Sequence, residues 1–311
     1  MSNAKTVLEA IGNTPLVELS RVVPADHARV LVKLECANPS GSMKDRMAIA
    51  VVERAESDGR LSPGGTVVEY TGGSTGTSLA LVCAAKAHKI RIVTSDAFSQ
   101  EKRDHMRALG ADLIEVPSQG GSITKELIEE MIELARKISE NEGTFYSDQL
   151  QNEDAIIGYH PLGEEIWSQT GGQIQAFVQV VGTAHSIAGT ATVLRSYNPD
   201  IRIVAVEPVE SPVLSGGEQG AHKIEGIGIG FIPPLWKASI ADEIMTVSTE
   251  EAKAMARQLA SQEALFAGTS SGANVVAAIR IAKRLGPGHT VVTLLVDSGL
   301  KYLTTDLYTS F

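Results

Sequence analysis

The feature that most constrains this chain is a repeated alternation of short, β-branched apolar runs with alanine-rich helical stretches. Strands that alternate with helices in this way predict parallel sheets covered by helices, which is an α/β fold. The predicted strands cover residues 66–70, 90–94, 112–116, 177–181, 202–207 and 290–296. The predicted helices cover residues 75–87, 100–109, 122–140, 185–196, 250–262 and 271–285.

Length and charge narrow the class of protein. A chain of 311 residues is long enough for two globular domains. Its 37 acidic and 27 basic residues give a net charge of −10, whereas binding to a nucleic-acid backbone depends on clustered Lys and Arg. The apolar runs are too short to span a membrane, and residues 1–7 lack the pattern of a signal peptide. We therefore expect a cytoplasmic protein with no membrane or nucleic-acid partner.

One lysine lies where turn formers give way to an apolar helical pattern, in residues 38–46 (NPSGSMKDR). Ser42 and Asp45 have the spacing of a capping box, which places Lys44 in the first turn of a helix. The positive end of the helix dipole disfavours an ammonium there and, with desolvation, biases the group toward the neutral amine that attacks an aldehyde. Lys44 is therefore a candidate catalytic amine, and a surface lysine beside Asp45 is the alternative.

Two loops have the character of anion sites, since each follows a predicted strand and opens a helix. Residues 71–76 (TGGSTG) and residues 181–189 (VGTAHSIAG) present main-chain amides at a helix amino terminus, where a carboxylate or phosphate binds. His185 either adds to the second site or is a polar residue at an exposed helix start. Residues 267–273 (AGTSSGA) read by themselves as a helix cap, and the glycine-rich residues 211–234 as an ordered functional loop.

The first loop also matches the nucleophile elbow of α/β-hydrolases, with Ser74 as the nucleophile. That alternative requires an acid and then a histidine later in the chain. Asp242 and His289 are the candidates that occur in this order. No glycine-rich oxyanion segment precedes the loop. At this point the loop is open to both interpretations.

Taken in order, the motifs resemble those of the cysteine synthase and cystathionine β-synthase family, pyridoxal phosphate (PLP) enzymes of fold type II. The resemblance covers nearly the whole chain. It is carried by residues 11–16 (IGNTPL), 38–46, 71–76, Gln149 and Asn152, His160 with Gly163, Glu165 and Ile166, 207–208 (EP), 211–214 (SPVL), 226–228 (GIG), 268–272 (GTSSG), and 297–299 (DSG) with Tyr302.

The resemblance implies two doubly wound α/β domains of the tryptophan synthase β-like kind. No change of composition and no low-complexity linker separates them in the sequence. The smaller domain would cover residues 38–150, with Lys44 and the substrate carboxylate loop. The larger would comprise residues 1–37 plus 151–311, with the phosphate loop and Ser270. A homodimer is also implied.

The resemblance further implies a set of site residues. Lys44 would hold PLP as a Schiff base and act as the acid–base group for the α-proton, and Ser270 would face the pyridine nitrogen. The implied cofactor-binding residues are Lys44, Ser74, Gly182, Thr183, Ala184, His185, Ser186 and Ser270. The implied substrate-binding residues are Thr71, Gly72, Gly73, Ser74, Thr75, Gln149 and Gly228. No metal site is implied.

The implied reaction is β-replacement on an activated serine, with O-acetylserine and sulfide giving cysteine. A neutral hydroxyl at the pyridine nitrogen favours such β-chemistry. Net β-elimination, such as cysteine desulfhydration, and cystathionine formation are alternatives within the family. A homologue that keeps the fold and binds a partner without turnover is an alternative outside catalysis.

The sequence departs from the family pattern at four positions. The usual carboxylate loop reads TSGNTG, so Gly72 replaces a serine and Ser74 replaces an asparagine. The usual phosphate loop reads GTGGT, and Ala184 and His185 replace its two later glycines. A β-carbon at these two positions is expected to restrict the backbone, and with it the tilt of the cofactor or the choice of substrate.

Overall fold

The structure, a computed structural model, describes residues 4–120 and 124–309, which contain ten strands and ten α-helices. The strands are β1 (Leu16–Glu18), β2 (Arg29–Lys33), β3 (Thr66–Tyr70), β4 (Lys89–Ser95), β5 (Asp112–Val116), β6 (Thr144–Tyr146), β7 (Ala176–Val180), β8 (Arg202–Pro208), β9 (Glu243–Val247) and β10 (Thr290–Leu294). The helices are α1 (Lys44–Ser57), α2 (Ser74–Ala85), α3 (Gln100–Ala108), α4 (Lys125–Ser139), α5 (Asp154–Ile157), α6 (His160–Gln169), α7 (His185–Tyr197), α8 (Thr249–Glu263), α9 (Thr269–Leu285) and α10 (Asp306–Thr309).

The chain forms two compact units. The first contains the described residues up to Ile11 together with Lys44–Gly158. Its sheet has four parallel strands in the order β5-β4-β3-β6. Strand β3 is buried from its second residue onward, and helices α2 and α4 pack on this sheet. Because all four strands are parallel, the loops that follow them emerge at one edge.

The second unit contains Gly12–Met43 and the described residues from Tyr159 onward. Its six-stranded sheet has the order β1-β2-β10-β7-β8-β9, in which only β1 is antiparallel to its neighbour. Strands β7 and β10 are buried at every residue, as expected of central strands in a sheet with covered faces. Helix α9 packs on this sheet and α8 packs on α9.

The predicted elements are confirmed. Each of the six predicted strands and six predicted helices is present, and their ends agree within two residues, apart from the predicted helix start at 122, which lies outside the described residues. A helix also begins at Lys44, as predicted. Strands β1, β2, β6 and β9 were not predicted.

The unit boundaries lie at residues 11/12, 43/44 and 158/159, whereas the sequence-based division used 37/38 and 150/151. Two contacts explain the difference. The turn of 3-10 helix Val7–Ala10 packs against α2, which joins the amino-terminal segment to the first unit. Helix α5 packs against α1 so closely that a β-carbon on Gly158 would lie 2.5 Å from the carbonyl oxygen of Arg46. The chain therefore stays with the first unit beyond Leu150.

Within residues 4–120 and 124–309, no helix has both the length and the apolar character needed to cross a bilayer. The same residues contain no group of three or more His, Cys, Asp and Glu side chains placed to hold a metal ion.

Candidate active site

Lys44 is the first residue of α1, so the prediction that it lies in the first turn of a helix is confirmed. The helix is held in place by a buried face that includes Met47, Val51 and Val52, each fully inaccessible to solvent. The Lys44 side chain itself is half-buried. A side chain at this position lies near the positive end of the helix dipole.

The loop between β3 and α2 is shaped by its main chain. Thr71 continues the sheet, with its N–H donating to Val93 O at 2.9 Å, and its hydroxyl accepts from the N–H of Gly73 at 3.1 Å. Helix α2 then begins at Ser74. Its N-cap residue is Gly73, which has no side chain to cap the helix. A helix amino terminus at the carboxyl end of a parallel strand is suited to binding an anion.

Gln149 lies against this loop although it is far away in sequence. The Thr75 hydroxyl donates to Gln149 Oε1 at 2.8 Å, and Gln149 Nε2 donates to Tyr70 O at 2.8 Å. Thr75 and Gln149 are both buried. The structure thus brings together two of the predicted substrate-binding residues and fixes their side chains by hydrogen bonds.

Glu69, which was not predicted as a site residue, holds Gln149 in place through hydrogen bonds. Its carboxyl oxygens accept hydrogen bonds from the Ser147 hydroxyl at 2.7 Å and from the N–H groups of Gln149 at 3.0 Å and Tyr70 at 2.9 Å. Complete burial raises the pKa of Glu69 to about 8, against the opposing effect of these hydrogen bonds. A buried acid in the apolar strand TVVEY is the signal that could have pointed to it.

Replacing Glu69 with glutamine is expected to destabilise the protein by about 1–3 kcal/mol, because the new NH₂ group must face at least one N–H or O–H donor. The raised pKa of Glu69 in the folded state means that its stabilising effect is full below the pKa of the unfolded chain. It is lost as the pH rises through about 8. The deficit of E69Q in free energy of unfolding should therefore be larger at about pH 5.5 than at about pH 8.5. Urea titrations at both values test this, and an equal deficit would contradict it.

In the second unit, the loop that follows β7 resembles the first in construction. It contains Gly182 and Thr183, and α7 begins at His185 with no capping side chain from the N-cap residue, Ala184. The Gln179 side-chain amide donates to the hydroxyl oxygen of Ser186, and the Thr183 hydroxyl lies 3.1 Å from His185 Nδ1. His185 is buried rather than exposed. Hydroxyl groups and main-chain amides therefore meet at one helix start.

Two backbone features fix the course of this loop. A β-carbon at Gly182 would lie 2.4 Å from the carbonyl oxygen of Gly226, and the N–H of Gly228 donates to Val181 O at 3.2 Å. Ala184 adopts the left-handed conformation, with φ 68° and ψ −10°. Alanine adopts this conformation at a cost of about 1 kcal/mol, whereas glycine adopts it freely. Despite its β-carbon, Ala184 therefore keeps a backbone conformation typical of glycine.

The glycine-rich stretch 211–234 contains no helix or strand and is held by specific contacts. Glu207 accepts hydrogen bonds from the N–H groups of Leu214 and Ser215 at 2.8 and 3.0 Å. His222 Nε2 lies 2.9 Å from the carbonyl oxygen of Gly228, whose φ is 57°. Because its N–H donates to Val181 O, Gly228, one of the predicted substrate-binding residues, lies beside the loop that follows β7.

Ser270 lies in the first turn of α9 and is only 2% exposed. The start of this helix is fixed by the Ser271 hydroxyl, which accepts from the N–H of Val296 at 2.9 Å, and by Tyr308, whose hydroxyl donates to Ala267 O at 2.6 Å. A β-carbon on Gly268 would lie 2.5 Å from Asp297 Oδ1. Ser270 is therefore a neutral hydroxyl on a rigid support.

The hydrolase alternative fails on the positions of its other two residues. Asp242 and His289 precede β9 and β10, which are separated by β7 and β8, or about 14 Å at the usual strand spacing. Asp242 accepts hydrogen bonds from Arg195 at 2.8 Å and from the N–H of Ile203 at 2.7 Å. His289 Nδ1 lies 3.3 Å from Gly286 O. The carboxylate and the imidazole do not form a catalytic pair.

Comparison with known proteins decides the family. Residues 7–297 match the family model described as pyridoxal-phosphate dependent enzyme. The chain belongs to this family. A cysteine synthase of Staphylococcus aureus is 44% identical over 305 residues, which are 97% of this chain and 96% of the relative.

Two solved structures are similar throughout. The crystal structure of an O-ureido-L-serine synthase has a TM-score of 0.92 and 36% identity, with 99% of this chain and 96% of the other covered. That of a cysteine synthase from Entamoeba histolytica has a TM-score of 0.92 and 37% identity, with 99% and 91% covered. These similarities confirm the resemblance, the α/β fold of the type II PLP enzymes and the assignment as an enzyme.

The residues present fit the cofactor of this family. PLP carries a phosphate, an aldehyde and a pyridine nitrogen, and each has a chemically suitable group in the structure. For the phosphate, the start of α7 offers main-chain amides and the hydroxyls of Thr183 and Ser186. The main chain at Gly226 passes so close to this loop that position 182 requires glycine. Lys44 offers a primary amine, and Ser270 offers a neutral hydroxyl.

Proposed function

We propose that the protein is a cysteine synthase-like enzyme, which replaces the acetyloxy group of O-acetylserine by sulfide to give cysteine and acetate. The observation that carries this proposal is the 44% identity to a cysteine synthase across 97% of the chain. The arrangement of Thr71, Thr75 and Gln149 around a helix start supports it, since an amino-acid substrate needs a site for its carboxylate.

Lys44 is proposed as the catalytic residue and the point of cofactor attachment. When bound there, PLP withdraws electrons from the α-carbon of the amino acid and so allows a group on the β-carbon to leave. The Lys44 amine takes the α-proton and returns it, which requires that it be neutral at the working pH. It is half-buried and lies at the start of α1, near the positive end of the helix dipole.

The other proposed roles follow the two loops. The amides and hydroxyls of 71–75, with Gln149, would hold the substrate carboxylate, and Ser74 would in addition bind the cofactor. Residues 182–186 hold the phosphate of PLP, and Gly228 adjoins the substrate. Ser270 donates or accepts a neutral hydrogen bond at the pyridine nitrogen, which keeps the ring from storing a full carbanion and so favours β-chemistry.

The substrates are a small amino acid and a small nucleophile such as sulfide, and the working form is a cytoplasmic homodimer. The relatives' own names support small substrates, and light scattering of the purified protein, with an expected mass of twice 32.9 kDa, tests the dimer.

Activity measurements distinguish the reactions within the family. The purified enzyme is supplied with O-acetylserine, O-phosphoserine or serine together with sulfide or with homocysteine, and with cysteine alone. We expect cysteine to form from O-acetylserine at least about tenfold faster than any other reaction. Faster release of sulfide from cysteine would instead support a desulfhydrase, and formation of cystathionine from homocysteine would support a cystathionine synthase.

Replacing Gly182 with alanine is expected to weaken PLP binding by about tenfold or more, because the added methyl group would lie 2.4 Å from Gly226 O and must displace the loop. Absorbance titration of the apoprotein with PLP measures this. Gly171→Ala is the control for a destabilising glycine replacement away from this loop, since its φ of 58° strains an alanine by about 1 kcal/mol while a β-carbon there meets no atom within 4 Å. Equal PLP affinity in G182A and G171A would contradict the assignment of this loop to the phosphate.

A further inference from the structure

The replacement of the usual serine by Gly72 has a visible steric counterpart. A β-carbon built on Gly72 would lie 2.0, 2.1 and 2.2 Å from Cδ1, Cε1 and Cγ of Phe98. On the neighbouring Gly73, a β-carbon would have as its nearest atom Lys102 Cδ, at 4.0 Å. The ring of Phe98 therefore occupies the space that a side chain at position 72 would need, and position 73 is open by comparison.

Phe98 reaches this place because of the sheet topology. It lies in the short loop between β4 and α3, and β4 is the parallel neighbour of β3. The carboxyl ends of both strands lie at the same edge, so the loop after β4 runs beside the loop after β3. Hydrogen bonds from the N–H of Phe98 to Ser95 O at 3.2 Å and from Ser118 N–H to Asp96 Oδ1 at 2.7 Å hold it there.

We propose that Phe98 is a specificity-determining residue of the carboxylate loop, whose ring takes the place of a hydroxyl-bearing side chain at position 72. This inference rests on the proposed function, because it assumes that residues 71–75 bind an amino acid. The substrate carboxylate then meets the main-chain amides and the hydroxyls of Thr71 and Thr75, with an aromatic ring edge beside them. Gly72 and Phe98 form a coupled pair, and a serine at position 72 fits only if the ring of Phe98 is displaced or removed.

A double-mutant cycle tests the pair, with the PLP-loaded wild type, G72S, F98A and F98A/G72S. The readouts are the melting temperature and the dissociation constant for O-acetylserine from the spectral shift on binding. With Phe98 present, G72S should lower the melting temperature and weaken binding by about tenfold or more, since the ring must move. In the F98A background the same change should tighten binding by about fivefold, the effect of one added hydrogen bond.

Gly73→Ala is the matched control, because its β-carbon has room and F98A should leave its effect unchanged. The inference is overturned if G72S has the same effect with and without Phe98, in both readouts. The melting temperatures decide the steric coupling even if a variant binds substrate poorly. Failure of the proposed function has a different signature, since the wild type would then bind no PLP or no amino acid.

Discussion

Replacing Lys44 with alanine is expected to abolish covalent attachment of PLP and to lower the rate of cysteine formation by about 10³-fold or more. The variant loses both the amine that holds the cofactor and the base that moves the α-proton. Its fold should remain, because Lys44 is the first residue of α1 and the buried face of that helix lies further along. Steady-state rates and the absorbance spectrum of the purified variant measure the two losses.

Lys89→Ala is a suitable control, as it removes an exposed lysine at the start of β4. It should retain the yellow colour and the rate of the wild type. If K44A instead kept a covalent PLP adduct and a rate within tenfold of the wild type, another amine would be the catalytic group.

Replacing Thr75 with alanine is expected to raise the KM for the amino-acid substrate by about tenfold while the affinity for PLP changes little. The change removes the hydrogen bond to Gln149 Oε1 and leaves that buried oxygen without its 2.8 Å donor, a loss of about 1–3 kcal/mol. The proposed phosphate loop belongs to the other unit of the chain. Separate titrations with PLP and with O-acetylserine make the distinction.

Thr170→Ala controls for the loss of a threonine hydroxyl, since that hydroxyl donates to carbonyls of the helix it follows, at Ile166 and Trp167. It should alter neither titration by more than twofold. If T75A lost PLP and yet bound amino acids normally once reconstituted, the assignments of the two anion loops would be reversed.

The sequence allowed most of the secondary structure to be predicted, and the failures have local causes. Strand β10 (TVVTL) is largely a run of β-branched residues and β7 (AFVQV) is mostly apolar, a pattern that buried parallel strands produce. Strands β1 and β6 have three residues each, too few to show a period, and their pairing partners lie elsewhere in the chain. The unit boundary after Gly158 depends on packing of α5 against α1, which no local pattern encodes.

The candidate site was predictable where its chemistry is contiguous in sequence. Lys44 and the two glycine-containing loops could be found because turn, strand and helix signals surround them. Glu69 and Phe98 were missed because their importance lies in contacts with Gln149 and Gly72, across 80 and 26 residues of chain. Such long-range pairs follow from the order of strands in the sheet, which the sequence analysis did not determine.

The most direct test of the account is to identify the residue that carries PLP. Borohydride reduction of the purified yellow protein, followed by proteolysis and mass spectrometry, fixes the cofactor on the lysine that holds it. We predict a phosphopyridoxyl group on Lys44 and on no other lysine. A reduced adduct on a different lysine, or protein that takes up no PLP, would contradict the account.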